Sequence, residues 1–327
     1  MISDLINSKF KLESIIMVKN LKNKNIIITG GCGFIGSNLA EELSKNNHIK
    51  IIDNLVSGKV ANISGFKNTN FIRADIKNFS AIQAAFESAD IVFHQAANIF
   101  VQTSIENPQY DAENNIIGTI NVLEACRKHN VEKIVCASSC AVYGDPQKTP
   151  IPENHILNPK SPYGASKKAL EIYCKLYNEL YGIKTVCLRY FNVYGPKQNP
   201  SSPYSGVISI FTKNISQNKP VTIYGDGNQT RDFINVKDVV NANILSAISE
   251  KSAGNSINVG TGKQISLNNL VGILQKLTGK GVKSLYKPER SGDIKHSFAD
   301  ITKAKKILDF KPKISIEAGL KQLLKTD

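Results

Sequence analysis

Three residues in the middle of the chain have the side chains needed to move a proton to and from an alcohol. Tyr163 and Lys167 stand four positions apart in Ser161-Pro162-Tyr163-Gly164-Ala165-Ser166-Lys167, so on a helix they share one face, one turn apart. A free tyrosine has a pKa near ~10 and is almost wholly protonated at neutral pH. A neighbouring ammonium favours the phenolate, and a depression of about 3 units corresponds to roughly 4 kcal/mol. The spacing therefore predicts a lowered tyrosine pKa and a phenol usable as a general base near pH 7. Alone, the pair also fits an ordinary solvated helix face. Ser139, in Ala137-Ser138-Ser139-Cys140-Ala141-Val142-Tyr143-Gly144, adds a hydroxyl that could hold a substrate oxygen.

These groups need a frame, and the chain supplies one from residue 25 onward. Short β-rich apolar runs alternate with helical stretches, the pattern of a doubly wound parallel α/β sheet. Strands are expected at 25–29, 48–53, 70–73, 90–94, 133–137 and 185–191, and helices at 34–45, 108–129 and 163–181. After Tyr194-Gly195-Pro196 the rhythm breaks into a stretch rich in Pro, Ser and Asn. The expected organisation is an extension over 1–20, a cofactor domain over 21–195 and a smaller α/β substrate domain over 196–327. Segments near 235–262 are expected to return to the first sheet. The chain's two methionines are Met1 and Met17, and a start at Met17 would keep both domains whole.

Between the first strand and first helix lies Thr29-Gly30-Gly31-Cys32-Gly33-Phe34-Ile35-Gly36. Glycines there permit a tight turn and bring the backbone close to a pyrophosphate, while the helix N-terminus offers free N–H groups. Asp53 closes the second strand about 20 residues on, where a carboxylate hydrogen-bonds the ribose diol and repels a 2′-phosphate. The expected cofactor is NAD in a Rossmann fold. Ala96 and Ala97 end the fourth strand at the same edge, and Ser139 the fifth. Oxidising a secondary alcohol with NAD requires a base, a hydroxyl on the substrate oxygen and a cation to tune the base. Tyr163, Ser139 and Lys167 fit those parts.

Composition excludes several other classes. The net charge is +14, yet five of the 41 basic residues are arginine and the lysines form no concentrated run. That argues against nucleic acid, though the charge would steer an anionic substrate. No apolar run approaches the ~20 residues that span a bilayer, and the first sixteen residues lack a secretory pattern. The six cysteines and five histidines are scattered without metal spacing, so no metal site is expected and a reducing cytoplasmic setting fits.

Over residues 24–320 the chain resembles the extended short-chain dehydrogenase/reductases that act on nucleotide sugars. The resemblance is carried by Thr29 to Gly36, Asp53-Asn54, Asn114-Asn115-Ile116-Ile117-Gly118-Thr119, Ser138-Ser139, Tyr163 with Lys167, and Leu188-Arg189-Tyr190-Phe191-Asn192-Val193-Tyr194-Gly195. Later parts are Gly225-Asp226-Gly227, Thr230-Arg231-Asp232-Phe233 and Arg290-Ser291-Gly292-Asp293. It implies cofactor contacts from Gly30, Gly33, Phe34, Ile35, Gly36, Asp53, Asn54, Ala96, Ala97 and Tyr190. Asp75 and Ile76 would lie near the adenine, with Asn115 and Lys167 on the nicotinamide side. Asn192 would meet the substrate phosphates, Val207, Ile208 and Tyr224 would flank a uracil, Arg231 and Arg290 would clamp the pyrophosphate, and Asp293 would take the uridine ribose.

In the family, dehydratases place an acidic pair and decarboxylases a glutamate just after the catalytic hydroxyl. This chain has Cys140 and Ala141 there, which points to 4-epimerisation of a UDP-hexose. Ser297 stands where a bulky tyrosine would exclude N-acetyl groups, so the sugar pocket is expected to have room for UDP-N-acetylhexosamines beside UDP-glucose and UDP-galactose. A UDP-glucuronate 4-epimerase shares the same machinery, and an epimerase-reductase or a non-catalytic dinucleotide binder are further readings. The resemblance also implies a homodimer through the helices 108–129 and 163–181.

Overall fold

The isoleucine-rich runs form the centre of a seven-stranded sheet in a computed structural model that describes residues 21–199, 206–289 and 294–325. Its strands are β1 (Asn25–Thr29), β2 (His48–Asp53), β3 (Thr69–Arg73), β4 (Ile91–His94), β5 (Lys133–Ser139), β6 (Lys184–Tyr190) and β7 (Asn255–Val259). All pair in parallel, in the order β7-β6-β5-β4-β1-β2-β3. Side chains alternate between two apolar layers, as the pleat requires. Ile26, Ile28, Phe93, Val135 and Leu188 enter one layer, and Ile27, Val92, Ile134, Cys136 and Cys187 the other. A parallel sheet covered on both faces reads as continuous apolar runs, and these do.

Helices close both layers. On the first face lie α1 (Phe34–Leu43) and α4 (Val236–Ile248), through Leu39, Leu43, Val239 and Ile244. On the second lie α2 (Gly118–Lys128) and α3 (Pro162–Tyr181), through Val122, Cys126, Leu170 and Cys174. The limits of α3 follow from its ends. Ser161 caps it by accepting from Gly164 N at 3.1 Å, Pro162 occupies the first turn, and Gly182 ends it at φ +72°. The helix expected over 108–129 contains a change of pitch. Pro108–Ala112 is α-helical, Glu113–Ile117 is a π turn, and α2 comes next.

A third apolar cluster gathers residues beyond β6, including Tyr194, Ile208, Phe211, Ile223, Leu270 and Leu320. It packs the helices Val207–Ser216 and Leu267–Thr278 beside the parallel strands Val221–Tyr224 and Ser284–Lys287. The strand order reverses between β1 and β4, which are neighbours in the sheet although β2 and β3 separate them in sequence. A ligand crevice is expected outside the carboxyl ends of such a pair.

Candidate active site

The crevice is built by backbone that only glycine accommodates. Gly30 leaves β1 at φ +68°, and a Cβ there would stand 2.6 Å from Ala96 N. At Gly36 a Cβ would fall 2.2 Å from Gly30 O, so the first turn of α1 lies directly on the loop. Gly33 caps α1 without a side-chain hydrogen bond, which leaves the orphan N–H groups of that turn for a ligand. The resulting cleft is about 490 Å³, within the range of small-molecule sites.

Most of the expected cofactor residues meet in this cleft. Gly30, Gly33, Phe34, Ile35 and Gly36 form one end, with Asp53 and Asn54 beside them. Ile76, Ala96, Ala97, Tyr163, Lys167 and Tyr190 line the rest. Asp53 accepts from Leu55 N at 2.8 Å and Cys32 N at 3.0 Å, which ties the glycine loop to β2. A carboxylate has further lone pairs for a ribose hydroxyl. Asp75, next to the lining residue Ile76, accepts from Asn54 Nδ2 at 3.1 Å and Lys77 N at 2.9 Å, and so braces Asn54.

The proton-transfer groups converge at the far end. Ser139 ends β5, accepts from Ala141 N at 3.1 Å, and stands near enough to the Tyr163 phenol for its hydroxyl to favour the phenolate. Tyr163 is held at its own amide, which donates to Ser104 Oγ at 3.1 Å. Lys167 Nζ is buried, donates to Ala137 O at 2.9 Å and lies 6.0 Å from the Tyr163 ring centre. The expected lowering of the tyrosine pKa does not hold for the chain by itself. Burial pushes the Tyr163 phenol up to about 12 and the Lys167 ammonium down to about 8. Both shifts have one cause: the low-dielectric cleft disfavours either charged form, and the ammonium is bonded to a carbonyl instead of the phenol.

Asn115 lies buried in the wall of the cleft, on the side of Lys167. Its side chain accepts from Asn98 N at 2.8 Å and donates to Asn98 O, Asp111 Oδ1 and Ser166 Oγ at 2.9 to 3.1 Å. It holds the wall together, and Asn114 lines the cleft. Sequence reading missed Gln95 and Asn98, which also line it, although both lie within or just after the recognised β4 run. Asn243 of α4 was missed for a different reason. It hydrogen-bonds the Tyr190 hydroxyl at 2.9 Å and Gln95 at 3.2 Å across a sequence gap that no local pattern bridges.

The expected substrate residues lie apart from the cofactor cleft. Asn192, half-buried, donates from its backbone N and from Nδ2 to Asp232 O at 3.0 and 3.2 Å. Val207 and Ile208 begin the helix Val207–Ser216, and Ile208 is buried in the third cluster. Tyr224 ends its strand half-buried. Arg231 lies beside Ser297 in paired strands, and its charge acts on the Cys140 thiol, linking this side to the end of β5. Asp232, fully buried, accepts from Thr261 N and Oγ1, Gly262 N and Ala299 N, and so fixes the loop next to Arg231. Arg290 and Asp293 fall outside the described residues. Among the described residues there is no grouping of His, Cys, Asp or Glu that could hold a metal.

The glycine cradle, the uncapped α1 terminus and the Asp53 carboxylate fit a dinucleotide, and the profile of the NAD dependent epimerase/dehydratase family matches residues 26–260. The chain is similar to UDP-glucuronate 4-epimerase of Thermodesulfobacterium geofontis, with 39% identity over 310 residues, 90% of this chain and 94% of that protein. Among solved structures it is similar to UDP-N-acetylglucosamine 4-epimerase from Methanobrevibacter ruminantium M1 in complex with UDP-N-acetylmuramic acid. That match has a TM-score of 0.90 and 40% identity and covers 93% of this chain and 98% of the other. UDP-glucose 4-epimerase from Thermotoga maritima, solved with UDP-glucose, matches with a TM-score of 0.88 and 40% identity, over 92% and 97% of the two chains.

Proposed function

Because the chain belongs to the NAD-dependent epimerase/dehydratase family, we propose that it is a UDP-hexose 4-epimerase whose sugar pocket also admits N-acetylhexosamines. The observation that carries this reading is the convergence of Ser139, Tyr163 and Lys167 beside the cofactor cleft, followed by a residue pair without a carboxylate. Cys140 carries a thiol pushed up to about 11 by burial, and Ala141 has no polar atom, so neither supplies an acid for water or carbon dioxide loss.

NAD, when bound, supplies a reversible hydride acceptor and a positively charged ring. The chain's own groups handle the proton. Ser139 holds the sugar 4-oxygen and Tyr163 takes its proton as the 4-keto sugar forms. The same proton returns when that sugar has turned over about its diphosphate. Lys167, buried behind them, would together with the cationic ring of bound NAD favour the Tyr163 phenolate that accepts this proton. No net redox change results. The half of the chain up to residue 195 would hold NAD, and the later half, with Arg231, Asn192 and Tyr224, the nucleotide diphosphate.

Relatives of closely similar identity act on UDP-glucose, UDP-N-acetylglucosamine and UDP-glucuronate, so likeness does not choose among the sugars. The choice of hexose and N-acetylhexosamine rests on Ser297, a small side chain next to Arg231. The test is to incubate the purified protein separately with UDP-glucose, UDP-N-acetylglucosamine and UDP-glucuronate without added cofactor. Inversion at C4 of the first two is expected. Inversion of the uronate alone would replace this reading with the glucuronate one, and no inversion by NAD-loaded protein would end it.

We also propose a homodimer and a cytoplasmic setting. Ile172, Leu176, Leu180 and Tyr181 form an exposed stripe on α3, beside Ile117 at the end of the π turn. Among the described residues no helix is long and apolar enough to cross a membrane, and all six cysteines are free thiols.

A further inference from the structure

Asp111, on the short helix Pro108–Ala112, is 1% exposed, and its two carboxylate oxygens have unlike surroundings. Oδ1 accepts from Asn98 Nδ2 at 2.8 Å and Asn115 Nδ2 at 3.0 Å. Oδ2 is buried without a hydrogen-bond partner. An unpaired buried carboxylate oxygen is costly, and such groups concentrate where their charge acts on something nearby.

The neighbourhood shows what that is. Asn98 lines the cofactor cleft. Asn115 Nδ2 also donates to Ser166 Oγ at 3.1 Å, and Ser166 Oγ donates to Tyr163 O at 2.9 Å. Two side chains thus join Asp111 to the turn of α3 that carries Tyr163 and Lys167, and its charge acts through space on both. The other titratable groups acting on the pair are neutral near pH 7. Cys136 of β5, Cys187 of β6 and Cys174 of α3 act on Lys167 and have thiols pushed up. Cys140, beside Tyr163, is pushed up to about 11, and His94 of β4, which feels Lys167, is pushed down to about 3.

We propose that Asp111 is a positioning residue for the catalytic pair, its buried carboxylate serving as the counter-charge that keeps Lys167 an ammonium and opposes ionisation of Tyr163. It thereby sets the pH range in which the pair works. This rests on reading Tyr163 and Lys167 as the proton-transfer groups.

Asp111→Asn tests it with little disturbance, because the amide oxygen still accepts from Asn98 and Asn115 while the charge is gone. In NAD-loaded protein labelled with 13C-tyrosine and 13C-lysine, the two signals are assigned by their loss in Tyr163→Phe and Lys167→Met. Removing a negative charge lowers both midpoints, so each is expected to fall by about one pH unit. Both limbs of the kcat profile should move acidward with them, and kcat above the Lys167 midpoint should fall about tenfold while KM stays within about twofold. Asp111→Glu should restore the midpoints toward wild type, and Asp111→Ser should lower them as Asn does. Unchanged midpoints in the folded Asn or Ser variant would overturn the proposal. The titration needs no turnover, so it decides the role of Asp111 even if wild-type protein inverts none of the UDP-sugars.

Discussion

The Glu171 carboxylate and the Arg189 guanidinium meet as a two-bonded fork, with Nε at 2.8 Å and Nη2 at 2.6 Å, their side chains only 6% and 5% exposed. Glu171 stands one turn beyond Lys167 on α3, and its oxygens also accept from Ser138 Oγ at 2.6 Å and Ser256 Oγ at 3.0 Å. One carboxylate therefore ties the catalytic helix to β5, β6 and β7 directly behind Ser139. Together with the bond from Lys167 to Ala137 O, it sets the height of Tyr163 against the end of β5.

Breaking this pair should be costly from either side. Glu171→Leu or Arg189→Met alone leaves a buried charge without its partner and is expected to destabilise by about 3–5 kcal/mol. The double variant should cost clearly less than the two added together. Urea unfolding of all four proteins gives the cycle, and strict additivity would show that the two charges do not act as a pair.

Tyr163→Phe removes the proton acceptor and keeps the ring. Turnover is expected to fall by roughly 10²–10⁴-fold while NAD content and the circular dichroism spectrum stay as in wild type. Near-normal turnover would assign the base elsewhere.

His94 links stability to acid. It is buried between Thr29 Oγ1 at 2.7 Å and Thr119 Oγ1 at 3.0 Å, and burial, then the Lys167 charge, pushes it from 6.5 down to about 3. The unfolded chain therefore binds a proton below pH 6.5 that the folded chain refuses. The resulting stability is complete above pH 6.5 and is lost as pH falls toward 3, by roughly 5 kcal/mol in all. In His94→Gln the urea midpoint should fall less steeply between pH 7 and pH 4. An equal slope would place the acid sensitivity in other groups.

Gly36→Ala puts a methyl group 2.2 Å from Gly30 O, so α1 or the loop must move. The variant is expected to bind NAD at least about tenfold more weakly, near 1.4 kcal/mol or more, as measured by calorimetry on protein stripped of cofactor. Unaltered affinity would mean that the loop yields without loss of the cradle.

Ser297→Tyr tests sugar choice. Conversion of UDP-N-acetylglucosamine should drop at least about tenfold more than that of UDP-glucose, since one side chain is being asked to exclude one substituent. Equal losses on both sugars would remove Ser297 as the gate.

Local chemistry explains which parts were legible in sequence. The turn after β1 demands glycine at Gly30 and Gly36 because a Cβ has no room there. The limits of α3 are set by Ser161, Pro162 and Gly182 at its ends. The π turn at Glu113–Ile117 shows where such reading stops. An extra residue in one turn rotates the rest of the helix, and the Asn114-Asn115 pair carries no mark of which member will face the cleft. Asn114 does, while Asn115 turns into the wall beside Asp111.

By itself, the sequence determined the doubly wound parallel sheet, the glycine cradle with Asp53, and the presence of Ser139, Tyr163 and Lys167. Each depends on side-chain period, steric room or spacing within one element. Only the tertiary structure decided that Tyr163 stands protonated in the chain alone, that Lys167 bonds a β5 carbonyl, that Asp111 is buried near both, and that Glu171 ties their helix to β5, β6 and β7. These depend on burial and on partners brought from distant elements, and burial changes the cost of a charge in a way that no spacing in one dimension records.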